Sequence, residues 1–127
     1  MKTFSEISDP KVIKVITKYY PTALIFRNEE VENISDPHFV ITVEGISPLR
    51  KLGALYEGVV SYDLIYAEPE AKGTARKLRE KLLDVYGSIM LPLKGVGAQD
   101  INIEIETETR RIHIRFDMYV YAEEVRE

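Results

Sequence analysis

The spacing of apolar positions along the chain predicts two helices and five strands, in the order α-β-β-β-α-β-β. Residues 10–20 and 69–86 carry apolar side chains at the three- and four-residue spacing of an amphipathic helix. Residues 22–27, 38–44 and 54–66 are rich in β-branched and aromatic residues, which is typical of strands. Two alternating segments after the second helix predict the last two strands.

Residues with special backbone preferences set the predicted ends of these elements. Asp9 is a favoured N-cap and Pro10 a favoured first helical residue, whereas Gly87 is typical of a helix end. Residues 45–53 contain two glycines and a proline, which predicts a loop. Residues 88–100 are apolar without a clear period, which predicts an irregular segment that covers the core or meets a partner.

The last two strands give the strongest local pattern, because apolar and polar residues alternate strictly in both. A tight turn at Glu108–Thr109 brings them together as a hairpin. The predicted apolar pairs are Ile105 with Ile112, Ile103 with Ile114 and Ile101 with Phe116, and the predicted polar pairs are Glu106 with Arg111 and Glu104 with His113. A shift of one residue would expose the whole apolar row, so this register is well specified.

Together these elements predict an α+β fold. An antiparallel or mixed sheet of about five strands is flanked by two helices that cover its apolar face. The length of 127 residues is typical of one domain, and no repeat or linker divides residues 1–127. We therefore expect a single domain.

Composition excludes several classes of function. The chain has no cysteine, so disulfides, thiol nucleophiles and thiolate metal sites are absent. Its net charge of −4 opposes general binding to nucleic acid, which needs a basic surface. No apolar run reaches the length of a membrane span, and the first residues lack the apolar core of a signal peptide. We expect assembly in the cytoplasm and no membrane partner.

Candidate catalytic and metal-binding residues have simpler structural interpretations. Glu104 and Glu106 share a strand face, but their predicted neighbours across the hairpin explain them as a surface ladder of charges. His38 and His113 show no metal-ligand spacing. The glycines near residues 94–97 lack the strand–turn–helix context of a phosphate-binding loop. We predict no catalytic, metal or cofactor-binding residue.

The second predicted helix carries a basic strip, composed of Lys72, Arg76, Lys77, Arg79 and Lys81. Three interpretations remain open from the sequence. The strip is a solvated helix face in which Arg76 pairs with Glu80, or it binds an acidic protein surface, or it binds nucleic acid.

Apolar residues in the two predicted loops and outward-facing residues of the last strand are candidates for a subunit interface. The candidate interface residues are Ile46, Leu49, Arg50, Lys51, Leu52, Ile89, Met90, Leu91, Leu93, Arg115, Tyr119 and Tyr121.

The order of elements and several short segments resemble a known family. The first helix ends in Tyr-Tyr-Pro, and the acidic segment RNEEVENISDP leads into Pro-x-Phe-x-Ile at residues 37–41. A long tyrosine-rich strand ending at Tyr66 comes next, and the last hairpin closes with the aromatic segment DMYVYAE. This pattern is similar to that of the phage tail terminator, or tail completion, proteins of long-tailed phages and contractile phage-tail-like particles.

That resemblance implies a structural protein without catalytic residues. Such proteins form a ring, usually a homohexamer, on the last layer of the tail tube, where they end its polymerisation. The implied partners are the tail tube protein, the sheath protein of contractile tails and neck or connector proteins. The implied location is the bacterial host cytoplasm during assembly, for instance from a prophage, and then the virion or tail-like particle.

Three other functions remain open from the sequence. The first is a head-closure or connector protein of the same kind of particle. The second is a small-ligand-binding or enzymatic α+β domain, since this type of sheet hosts many activities. The third is a nucleic-acid binder that uses the basic strip.

Overall fold

The computed structural model describes residues 3–27, 34–52, 55–70 and 72–123, without the side chains of residues 50, 52, 122 and 123. It confirms the predicted α+β fold: a five-stranded mixed sheet lies against two helices. The strand order is β1-β2-β3-β5-β4, with β1 parallel to β2 and all other neighbours antiparallel. The elements are α1 (Phe4–Tyr19), β1 (Leu24–Arg27), β2 (His38–Leu52), β3 (Leu55–Ala67), α2 (Ala75–Gly95), β4 (Ala98–Glu106) and β5 (Arg111–Glu123).

Helix α1 begins six residues before the predicted start. Its N-cap is Thr3, whose hydroxyl accepts a hydrogen bond from the backbone N–H of Glu6 at 3.2 Å. The prediction that Asp9 caps the helix is wrong, because Asp9 lies inside α1 and is buried. The added turn buries Phe4 against the sheet, and that burial offsets the loss of one backbone donor at Pro10.

Strand β2 runs through the segment predicted as a loop, so the loop prediction for residues 45–53 is wrong. The strand pairs with β3 as far as Leu52, with register shifts between Val43 and Gly45 and between Pro48 and Arg50. Strand β1 covers β2 only along His38–Ile41, so the rest of its outer edge has no partner strand among the described residues. Bulges and proline are tolerated on such an edge, where a missing N–H breaks no ladder bond.

Helix α2 is displaced toward the C-terminus from the predicted segment. Thr74 caps it by accepting from the backbone N–H of Lys77 at 3.2 Å, and it continues through Gly87 and Pro92. The prediction of an irregular segment over residues 88–100 is therefore wrong. One continuous apolar stripe on the helix is formed by the buried side chains Leu78, Leu82, Val85, Ile89 and Leu93. Burial of this stripe stabilises the helix across Gly87 and Pro92, two residue types that usually end or interrupt a helix.

The β4–β5 hairpin confirms most of the predicted register. Ile105 faces Ile112, Ile103 faces Ile114, and both predicted polar pairs are adjacent. The chain reverses through residues 107–110, where Arg110 N–H donates to the carbonyl of Thr107 at 3.3 Å. The predicted pairing of Ile101 with Phe116 is wrong, because an irregularity between Gln99 and Asn102 shifts the register there. Asp100 in this irregularity has a left-handed backbone, with φ of 54°.

A buried polar network ties α1 to the middle of the sheet. The phenol of Tyr62 donates a hydrogen bond to Asp9 Oδ1 at 2.5 Å and accepts one from the hydroxyl of Ser8. Burial, and then the hydrogen bond to Asp9, raise the pKa of Tyr62 well above its ordinary value. The phenol therefore stays protonated, and it satisfies a carboxylate that the core would otherwise leave unpaired.

We expect opposite effects from adding a methyl group at two glycines. Gly58→Ala should destabilise the protein by about 1–3 kcal/mol, because the new Cβ would lie 2.8 Å from Cζ of the buried Phe4 ring. Gly87→Ala should stabilise it by about 0.4–1 kcal/mol, because nothing lies within 4 Å of a Cβ at this helical position. Urea unfolding measures both. A Gly58→Ala variant as stable as wild type would contradict the packing of Phe4 on β3.

Loss of the buried phenol should also be costly. Tyr62→Phe is expected to lower the free energy of unfolding by about 1–3 kcal/mol, because Asp9 and Ser8 lose their partner inside the core. Tyr119→Phe is the matched control, since Tyr119 is exposed, and it should change stability by less than about 0.5 kcal/mol. Equal losses in the two variants would show that the network does not hold α1.

Candidate functional site

The face of the sheet opposite the helices is the candidate functional surface, here called the open face. Side chains alternate across each strand, so the neighbours of the buried core residues on β2–β5 point to this side. No helix of the described chain covers it. At its centre is a group of charged side chains, the ionic cluster, composed of Glu44, Asp63, Glu104, Glu106, Arg111, His113 and Arg115.

Arg115 links four strands within the ionic cluster. From β5 its Nη1 donates to Glu104 Oε2 on β4 at 2.8 Å. Its Nε lies 3.4 Å from Glu44 Oε1 on β2, and its Nη2 lies 3.6 Å from Asp63 Oδ2 on β3. The hydrogen bond to Glu104 and the charges of all three carboxylates raise the pKa of Arg115. One guanidinium is therefore shared among three carboxylates.

His113 lies between two carboxylates of the same cluster. Its Nδ1 donates to Asp63 Oδ2 at 2.8 Å, and both side chains are about nine-tenths buried. Its Nε2 lies 2.8 Å from Glu106 Oε1 but is not aligned for a hydrogen bond. Among the described residues no hydroxyl hydrogen-bonds to His113. The contact with Asp63 thus fixes the orientation of the His113 imidazole in the surface of the sheet. Nothing that the structure describes lies in position to be activated by this imidazole as a nucleophile.

Glu106 is held in its charged form by the adjacent turn. Thr109 Oγ1 donates to Glu106 Oε2 at 2.7 Å, and Arg111 Nη2 lies 3.8 Å from the same oxygen. The Thr109 hydrogen bond is the main reason that the pKa of Glu106 is lowered, and His113 and Arg111 lower it further against partial desolvation. The cluster consequently keeps this negative charge at neutral pH.

Unpaired buried polar atoms are concentrated in the ionic cluster. In the part of the chain whose side chains are described, the buried side-chain atoms without a hydrogen-bond partner are Asp63 Oδ1, Arg111 Nε and His113 Nε2. All three belong to this one cluster. Buried polar atoms in native proteins normally bond to protein or to water. Hydrogen bonding within the protein is therefore least complete in the ionic cluster.

The structure divides the predicted interface residues into four groups. Exposed residues include Leu91 at 66%, Tyr121 at 57%, Leu49 at 48%, Tyr119 at 46% and Ile46 at 40%. Met90 is half-buried and its sulfur accepts from the Tyr86 hydroxyl, Lys51 is exposed above the Tyr56 ring, and Arg115 lies in the ionic cluster. The side chains of Arg50 and Leu52 lie outside the described residues. The interface role of this set remains a prediction.

Two of the predicted interface residues need correction. Ile89 and Leu93 are completely buried in the core, because residues 88–95 continue helix α2 where a loop was expected. A side chain that packs under the sheet cannot contact a partner without unfolding the helix. We therefore exclude both from the contact surface.

The basic strip is partly neutralised. Arg76 pairs with Glu80 at 3.3 Å, as the interpretation of a solvated helix face expects, and Lys81 pairs with Glu68 at 2.8 Å. The neighbouring cleft is lined by both signs of charge: Lys72, Lys77 and Lys81 face Asp36, Glu68 and Glu70. This mixture weakens the case for a phosphate-binding surface.

Other candidates for chemistry are also accounted for by local contacts. His38 bonds through Nδ1 to the carbonyl of Asp36 at 2.9 Å and packs edge-on against Phe26. Among the described residues, no group of three or more His, Asp or Glu side chains is arranged to hold a metal ion. Glu29, Glu30 and Glu32, in the acidic segment RNEEVENISDP, lie outside the described residues. None of the helices described is long and apolar enough to span a membrane.

Comparison with known families identifies the broad role of the protein. A family model described as "Phage tail terminator protein" matches residues 10–127, which is nearly the whole chain. The chain belongs to this phage tail terminator family. The match confirms the resemblance found in the sequence and places the protein among the structural components of phage tails or tail-like particles, whose partners are tail proteins. A comparison with curated proteins found no match.

The turn at residues 107–110 allows a direct test of the electrostatics of the open face. We expect Thr109→Val to raise the pKa of Glu106 toward its ordinary value, because the principal hydrogen bond to the carboxylate is lost. Since the folded-state pKa is lowered, Glu106 stabilises the wild-type fold at neutral pH and loses that effect as the pH falls through its pKa. The variant should show a smaller loss of stability on acidification.

Carboxyl-carbon NMR titration measures this pKa directly. Thr107→Val is the matched control, because Thr107 belongs to the same turn but does not hydrogen-bond to Glu106 through its side chain. An identical Glu106 pKa in wild type and Thr109→Val would contradict the assignment.

Proposed function

We propose that this protein caps the end of a phage or phage-tail-like tube as a ring, usually a homohexamer. In this role it ends polymerisation of the tube, and of the sheath where one exists, and joins the tail to the neck or collar. The observation that carries the proposal is the family match over residues 10–127. The partners are then further copies of the chain, the tail tube protein and neck or connector proteins.

The one-sided architecture supports a role in assembly. The helices and the apolar sheet face form a closed core, whereas the open face presents ion pairs together with the aromatic side chains Tyr119 and Tyr121. Tyrosine and arginine are enriched at protein interfaces, because they combine apolar area with polar contacts. The open face of β5 is thus suited to binding another protein surface.

The long β2–β3 hairpin supports the same role. Beyond the short partner strand β1, β2 continues from Thr42 to Leu52 with an outer edge free of partner strands among the described residues. Ile46 and Leu49 on this part are exposed, and Pro48 and two bulges interrupt the edge. Such features discourage indiscriminate strand pairing. We propose that this extension contacts a neighbouring copy or the tube.

The proposed role is non-catalytic and needs no cofactor, metal, membrane or specific nucleic acid. Shape and surface chemistry are sufficient for a cap, since ending a polymer requires only that the bound ring fail to present the site for the next tube subunit. The protein would be made in the host cytoplasm and retained in the finished virion or tail-like particle.

Electron microscopy of tails assembled with and without the protein tests the proposal. With the protein present, we expect tubes of uniform length with ring density at one end. Without it, tubes should vary in length. A double variant, Tyr119→Asp with Tyr121→Asp, should need at least about tenfold more protein to cap half the tubes, because it places charge in the proposed contact.

Tyr119→Phe with Tyr121→Phe is the control that keeps the aromatic area, and it should cap nearly as well as wild type. Identical length distributions with and without the protein would contradict the terminator role. Binding to a connector protein but not to the tail tube in a pull-down would also contradict it and would favour the head-closure function.

A further inference from the structure

A shallow groove between α1 and β1 combines an apolar floor with a basic rim. It is lined by Pro10, Ile13, Lys14, Thr17, Lys18 and Arg27. None of its three cations forms an ion pair with another residue in the described ranges. Among the described residues that line the groove, none carries a carboxylate. Its chemistry therefore suits a partner surface that brings negative charge.

The ionic cluster has the opposite character. Four carboxylates, Glu44, Asp63, Glu104 and Glu106, share two guanidinium groups, those of Arg111 and Arg115. The cluster thus has two more carboxylates than guanidinium groups before His113 is counted. Glu44 and Glu104 are also the most exposed of these carboxylates, with side chains 46% and 56% accessible. They are the ones that an approaching cation would reach first.

The two surfaces lie on opposite sides of one sheet. Helix α1 packs on the apolar face through Val12 and Ile16, which puts the groove on the helical side, whereas the ionic cluster is on the open face. The two therefore cannot meet within one chain. In a closed ring, each copy presents a different surface to each of its two neighbours, and those two surfaces must be complementary.

We propose that the occupant of the basic groove is a second copy of this chain, docked through the rim of its ionic cluster. Lys14, Lys18 and Arg27 of one copy then face Glu44 and Glu104 of the next. The incoming cations balance the excess carboxylates, and the same contact repeats around the ring. This inference rests on the proposed ring function and specifies the contact between its subunits.

Charge reversal on each side tests the contact. The groove variant carries Lys14→Glu with Lys18→Glu, and the face variant carries Glu44→Lys with Glu104→Lys. Each alone should raise the concentration for half-maximal ring formation at least about tenfold, because like charges then meet. Ring formation is measured in solution by native mass spectrometry, and on polymerised tail tubes by electron microscopy because the tube promotes assembly. The control is Lys77→Glu with Arg79→Glu on α2, which should assemble like wild type.

Mixing the two variants provides the decisive measurement. The acidic groove of one variant fits the basic face of the other, while the remaining two surfaces are native, so an equimolar mixture should restore rings in which the variants alternate. Thermal unfolding verifies that each variant is folded, and Glu44→Gln with Glu104→Gln replaces the face variant if it is not. That neutral substitute should also weaken assembly, by a smaller factor.

Three results would overturn the proposal. The first is wild-type assembly by a folded groove variant. The second is a mixture that assembles no better than its components. The third is a groove variant that forms rings but no longer binds the tube, which would make the tube the occupant. In all three the terminator function survives, whereas wild-type protein that neither forms rings nor limits tube length would refute the function itself.

Discussion

A sheet covered by helices on only one side is the constraint on which the structure depends. The apolar face is closed by α1 and α2, but the second face has to be stable without a cover. The chain meets this requirement with charged side chains that bridge neighbouring strands, above all Arg115, which contacts carboxylates on three of them. Asp63 and His113 are nearly buried in this surface. Removing either side chain would leave the polar atoms of the other buried without their hydrogen-bond partner.

The same arrangement suits a subunit that must stay separate until it meets its assembly site. An apolar open face would promote association at any encounter, whereas a charged face remains soluble and discriminates among partners through complementarity. The ionic cluster compensates its own charge only in part, because its four carboxylates outnumber its two guanidinium groups. A partner with positive charge would compensate the remaining carboxylates, although the protein does not need such a partner in order to fold.

The pattern of apolar and polar residues correctly predicted those parts of the fold in which the spacing of apolar residues matches the spacing of buried positions. The β4–β5 hairpin is the best example, since its alternation specified the pairs of Ile103 and Ile105 with their partners. The contact between Asp63 and His113 was not predictable in this way. The contact exists because β3 lies beside β5 in the sheet, and the sequence of neither strand indicates which strand pairs with it. The ionic cluster was therefore recognised only in part, from the hairpin side.

Helix α2 continues through residues 88–95, where the sequence predicted an irregular segment, because burial outweighs the two helix breakers. Within a helix, a glycine costs roughly 1 kcal/mol and a proline roughly 3 kcal/mol, and Pro92 acts only near the C-terminal end of α2. Complete burial of Ile89 and Leu93 contributes roughly 1.5–3 kcal/mol each, which is comparable to the cost of both residues together. Because these apolar side chains are used in the core, they are not available for an interface. The surface left to bind partners is consequently more polar than the sequence suggested. Charge complementarity, rather than apolar area, is therefore the feature best able to specify neighbouring copies in the proposed ring.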